Sequence, residues 1–141
     1  MTKKIFVNLP VADLSRSVSF YESIGATRDE RFSDATAACM TLSDAIHVML
    51  LTHDKYRQFT AKPIADARET SAVLLCVSAD SREAVDAMTE TAGRSGVRLD
   101  PCPKQDMGFM YGRSFEDLDG HIWEVMWMDL EACMAAMAQA A

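Results

Sequence analysis

The feature that most constrains this chain is an internal repeat. A strand-like run at residues 4–11 leads through Ala12 into Asp13, a natural N-cap. Leu14, Val18, Tyr21 and Ile24 then fall at helical spacing, and Gly25 ends the run. Three strand candidates follow at 27–32, 36–42 and 46–52, with Ser33-Asp34 and Ser43-Asp44 as the turns between them. The second half repeats this order. A strand at 72–78 leads through Ala79 into Asp80, which with Glu83 reads as a capping box for a helix through Val85, Met88 and Ala92. Gly93 and Gly96 stop that helix, and strands are expected near 97–101, 108–115 and 121–128. Each half is one β-α-β-β-β unit, so the fold class is α+β. A period of about 70 residues is too long for a solenoid and suits a fused duplication.

The expected division is a single domain over 1–141, with module 1 at 1–53, a linker at 54–70, module 2 at 71–128 and a tail at 129–141. The tail, rich in Ala and Met, reads as a short helix. A chain of 141 residues, 49% apolar, can bury a core of its own. A net charge of −7 argues against nucleic acid and anionic membrane surfaces as partners. No apolar run approaches the roughly 20 residues of a membrane span, and the N-terminus is too polar for a signal-peptide core. The expected location is cytoplasmic. The four cysteines, Cys39, Cys76, Cys102 and Cys133, form no Cys-x-x-Cys pair and read as free thiols.

Near the end, Asp117-Leu118-Asp119-Gly120 makes a tight turn into the apolar run Ile122-Trp123-Glu124-Val125-Met126. A carboxylate inside such a strand needs a reason, because an unpaired buried charge is expensive. A metal, an Arg partner or a ligand would each supply one.

With the run Val11-Ala12-Asp13-Leu14 continuing to Tyr21, the duplicated unit and the Asp-x-Asp-Gly-x-x-x-Glu pattern of Asp117 to Glu124, the chain resembles the vicinal oxygen chelate superfamily. That superfamily includes glyoxalases, bleomycin- and fosfomycin-resistance proteins and extradiol dioxygenases. Phe6-Val7-Asn8-Leu9-Pro10-Val11 and Tyr111-Gly112-Arg113-Ser114-Phe115 look closest to a lactoylglutathione lyase-like bacterial branch. The resemblance implies two modules forming a curled sheet around a cavity, which in metal-using relatives holds a divalent cation. It places the final-strand ligand at Glu124 and, by the shared Val-Met register, His47 opposite it. The two first-strand ligand positions fall at Phe6 and Ala72, which are apolar; a slip of two gives Asn8 and Leu74. A divalent metal is therefore open as a cofactor, with two of four usual positions unable to bind it.

Strand alternation sorts the residues that would face the cavity. Glu124 shares its face with Ile122 and Met126, and His47 shares its face with Met49 and Leu51. Asn8 and Cys76 are the polar candidates on the first strands, while Tyr111 and Arg113 share one face of the penultimate strand. In the enzymatic reading Glu124 is a base or metal ligand with His47 beside it. Asn8, Tyr111 and Arg113 would then orient an anionic or oxygen-rich substrate. In the structural reading Glu124 pairs with Arg113 or His47 and braces the fold. Trp123 and Trp127 alternate away and pack under a helix, and Asp119 and Gly120 are turn-makers. The expected function is a glyoxalase-like small-molecule enzyme, a lyase or isomerase. The alternative is a non-enzymatic binder of the bleomycin-resistance type, in which Met49, Met126 and Phe115 matter more. Open sheets expose edges, so a homodimer is expected.

Overall fold

Alternation carries the first strand, β1 (Ile5–Val11), and Asp13 begins the helix after it, α1 (Leu14–Ser23), where its side chain accepts from the Arg16 amide at 3.1 Å. The computed structural model describes residues 2–140. The chain falls into two compact units, one reaching to Thr70 and also holding Leu118–Gly120, the other formed by the chain from Ser71 onward without those three residues.

In the first unit, β2 (Thr27–Asp29), β3 (Ala37–Ser43) and β4 (Ile46–Thr52) follow α1. The sheet order is β1-β4-β3-β2, with β1 parallel to β4 and the other pairs antiparallel. Expected strand residues 30–32 form one turn of 3-10 helix instead, opened by the Asp29 carboxylate on the Arg31 amide. Val48 and Leu50, fully buried, take one face of β4, and His47, Met49 and Leu51 take the other. The linker holds a helix the periodicity does not show, α2 (His53–Arg57), capped by Thr52.

The second unit repeats the topology with β5 (Leu75–Ser78), α3 (Arg82–Gly93), β6 (Gln105–Asp106), β7 (Met110–Glu116) and β8 (Ile122–Met128), in the order β5-β8-β7-β6. The expected tail helix is α4 (Leu130–Ala140). Three local features differ from those expected. The helix cap is Ser81, whose hydroxyl accepts from the Ala84 amide at 3.0 Å, and not Asp80. Residues 72–74 precede β5, so the strand starts three residues late. Residues 97–101 form no strand. Leu99 makes a single bridge to Phe115, and Asp100 takes a positive φ of 53°, which breaks the alternation while aiming its carboxylate at Arg113.

The Asp117–Gly120 turn does more than reverse the chain. The Asp117 carboxylate accepts from the His121 amide at 2.9 Å, closing the hairpin. Asp119 reaches the Ala12 amide at 2.8 Å, and Arg68 donates to the Leu118 carbonyl at 2.7 Å. Gly120 has φ +92°, and a Cβ there would sit 2.8 Å from the Arg68 amide nitrogen, so the position needs glycine on both counts. Among the described residues no helix is long and apolar enough to cross a membrane.

Candidate functional site

Counting outward from the 117–120 turn, antiparallel pairing sets Ser114 of β7 opposite Glu124 of β8, and the parallel neighbour β5 sets Cys76 opposite Glu124 on the other side. The three side chains form a row across one face of the sheet. On the next row Gly112 faces Met126, where a Cβ would meet only the Val125 carbonyl at 3.6 Å. The segment at Cys102-Pro103 is tied over this face through Ser114. Its hydroxyl accepts from the Cys102 amide at 3.0 Å and donates to the Cys102 carbonyl at 3.4 Å. The result is a pocket of about 270 Å³ within the second unit, with Cys76, Glu124 and Met126 on its floor and Cys102, Pro103 and Gln105 at its wall.

Glu124 is half-buried there. Among the described residues no hydrogen bond or ion pair reaches its carboxylate. The Cys76 thiol beside it belongs to an exposed residue, yet partial desolvation on the Glu124 side and then the charge on Glu124 push its pKa up, so it stays protonated and neutral at physiological pH.

Arg113 is paired in register with Val125, so it lies on the opposite face of the sheet, against α3. It is 7% exposed. Its guanidinium donates to Asp100 through Nε at 3.1 Å and Nη2 at 2.8 Å. Nη1 donates to Asp86 at 3.1 Å and Glu90 at 2.7 Å. Tyr111 lies on the same face, as alternation required, and its hydroxyl donates to Asp86 at 2.6 Å. The Asp100 carboxyl is held below its ordinary range chiefly by Arg113, and that of Asp86 by Tyr111 first and Arg113 second. The Arg113–Glu124 brace of the structural reading is not formed. The fork expected to hold an anionic substrate is occupied by three carboxylates of the protein itself.

In the first unit His47 is buried, stacked on Phe6 with ring centroids 4.6 Å apart. Both ring nitrogens have partners, Nδ1 with the Thr41 hydroxyl at 3.0 Å and Nε2 with the Asp44 carbonyl at 3.3 Å. Asn8 is exposed and pairs across from half-buried Met49. The pairing also revises the ligand positions that the resemblance implies. Phe6 opposes His47, and Cys76, not Ala72, opposes Glu124, because β5 begins after Ala72.

These residues do not fit a divalent cation. Phe6 has no donor atom, the imidazole has given both nitrogens to neighbours, and a neutral thiol beside one carboxylate is a poor set for a hard metal. Among the described residues no three His, Cys, Asp or Glu side chains gather to hold a metal ion. The sequence singled out Glu124, Cys76 and Met126. It missed Ser114, although counting from the turn would have found it, and it missed Cys102 and Pro103, for which no periodic signal exists.

The comparisons with known proteins bear on the architecture. No curated protein matches this chain in sequence. Among solved structures, hypothetical protein SA1046 from S. aureus superposes with a TM-score of 0.74 at 22% identity, covering 90% of this chain and 94% of its own. A glyoxalase/bleomycin resistance protein/dioxygenase family enzyme from Burkholderia phytofirmans PsJN gives 0.72 at 17%, covering 90% and 99%. The fosfomycin resistance protein FosX from Listeria monocytogenes, in complex with Mn(II) and sulfate, gives 0.70 at 19%, covering 97% and 98%. At these identities the likeness is one of fold. The sequence profile of the Glyoxalase/Bleomycin resistance protein/Dioxygenase superfamily matches residues 5–125. That match spans both β-α-β-β-β units and runs through Glu124, and by it the chain belongs to the glyoxalase/bleomycin resistance protein/dioxygenase superfamily.

Proposed function

We propose that this chain is a small-molecule-binding member of its superfamily that works without a protein-held metal, and that the pocket at Glu124 is its ligand site. The observation that carries the reading is the Glu124 carboxylate, half-buried on the floor of a cavity with no partner among the described residues. A charge so placed loses hydration, and a ligand that donates to it restores what was lost. A cavity of about 270 Å³ lies just under the span usual for drug-sized ligands and suits a fragment or small metabolite.

The same carboxylate favours a second reading. Its lone pairs are free to take a proton from a bound substrate, so a glyoxalase-like lyase or isomerase with Glu124 as base uses the same pocket. His47, with both nitrogens engaged, holds the first sheet in either case. FosX from Listeria monocytogenes was solved with Mn(II), a chemistry that the donor set here does not support. The working form in this proposal is a cytoplasmic homodimer. β1 is an edge strand with Ile5 and Phe6 more than half exposed, and α4 presents Leu130, Met134 and Met137 to solvent.

Thermal unfolding against a metabolite and antibiotic library, run in EDTA on the wild type and on Glu124→Gln, tests the site. The expected result is ligands that stabilise the wild type, by about 2.7 kcal/mol at a hundredfold excess over Kd, and leave the variant unshifted. Turnover of those ligands then separates enzyme from binder. Ligands that act only after Mn²⁺, Ni²⁺ or Zn²⁺ is restored would overturn the reading.

A further inference from the structure

We infer that the Glu124 pocket selects a ligand with a cationic head, a protonated amine or amidine on a small apolar body, and rejects anionic ligands. This rests on the reading of that pocket as a ligand site and names what the site takes. The charges of the lining point to this class. Among the described residues Arg113 is the only basic one lining the pocket, and its guanidinium turns away to Asp100, Asp86 and Glu90. Its charge is therefore spent, and over-balanced, within the protein. Among the described residues Glu124 is the only acidic one at the lining, and none of them pairs with it.

The other groups are neutral. Ser114 spends its hydroxyl on the Cys102 backbone. The Cys76 thiol keeps its proton, held there by burial and by Glu124. Gln105 can offer a donor or an acceptor. Met126 and Pro103 supply apolar and polarisable surface, on which the body of a ligand can rest. One uncompensated negative charge, half-buried in the pocket, acts at short range with less screening than a fully exposed one. It attracts an ammonium or amidinium that can donate to both carboxylate oxygens. It repels a carboxylate or phosphate, which no basic group of the lining is free to receive; exposed Lys104, between Pro103 and Gln105, is not part of the lining and acts on Asp86 and Asp100.

Three near-isosteric probes separate the possibilities: benzylamine, benzyl alcohol and benzoate, each titrated at neutral pH in EDTA. Binding is followed by NMR shifts of the Met126 methyl. The expected result in the wild type is benzylamine binding about tenfold or more tighter than benzyl alcohol, with benzoate weakest. In Glu124→Gln the amine should fall to the level of the alcohol, and Cys102 amide shifts report that the pocket wall is intact. The wild-type comparison decides the matter even if that variant folds poorly. Equal binding of amine and alcohol would overturn the cationic class while leaving the pocket a ligand site. Benzoate binding tightest would overturn it in favour of an anionic substrate. Silence of all three overturns the cationic class as well, and silence of the wider library in EDTA would remove the ligand-site reading beneath it.

Discussion

Three carboxylates converge on Arg113, and this one guanidinium ties α3, Asp100 and β7 together. The three partners are partly solvated, so replacing Arg113 falls short of the cost of breaking a fully buried pair. Arg113→Met is expected to lose about 2–3 kcal/mol in urea unfolding. The pH dependence has a defined sign. Asp100 and Asp86 have folded-state values held below the ordinary carboxylate range. Their stabilisation is fully present above about pH 4 and is lost as the pH falls through the depressed values. Arg113→Met should flatten that acid limb. At this scale the sequence was legible in parity but not in sign. Alternation places Tyr111 and Arg113 together and apart from their neighbours, yet it does not say which face meets the helix. Only the acidic positions Asp86 and Glu90, one helical turn apart on α3, mark the face that receives a cation.

Among the elements, the duplicated strand-helix-strand order was legible because each segment carries its own period and its own stop. Ile46–Thr52 and the α1 cap at Asp13 lie where the pattern places them. The shortfalls are short or bent pieces. β6 is two exposed residues, and α2 is five residues, too few for a period to show. At 97–101 the alternation of Val97, Leu99 and Pro101 imitates a strand that Asp100 interrupts. The α3 cap is a case of two adjacent candidates, Asp80 and Ser81, both with cap chemistry. Ser81→Ala should cost about 1 kcal/mol of stability by thermal or urea unfolding. Asp80→Ala should stay within about 0.5 kcal/mol of the wild type. The reverse order would restore the capping box at Asp80.

For the whole molecule, the Asp117–Gly120 turn is the feature in which fold and site meet. Leu118–Gly120 group with the first unit, while the strands on either side belong to the second. Two of the residues that make this turn, Asp119 and Gly120, are there for hydrogen bonding and close backbone approach, and Glu124 follows them into β8 at a fixed register. The sequence pattern announces the family through this turn, but it does not announce the chemistry. That depends on what stands opposite His47 and Glu124, and strand pairing answers with Phe6 and Cys76. In the proposed function, an architecture that FosX from Listeria monocytogenes combines with Mn(II) here presents a bare carboxylate to an organic ligand. The most direct test is the metal content of the protein purified without chelator, measured by inductively coupled plasma mass spectrometry beside the Glu124→Gln variant. The expected result is no transition metal approaching one per chain in either protein. One equivalent of Mn, Ni, Zn or Fe in the wild type, lost in Glu124→Gln, would contradict the account.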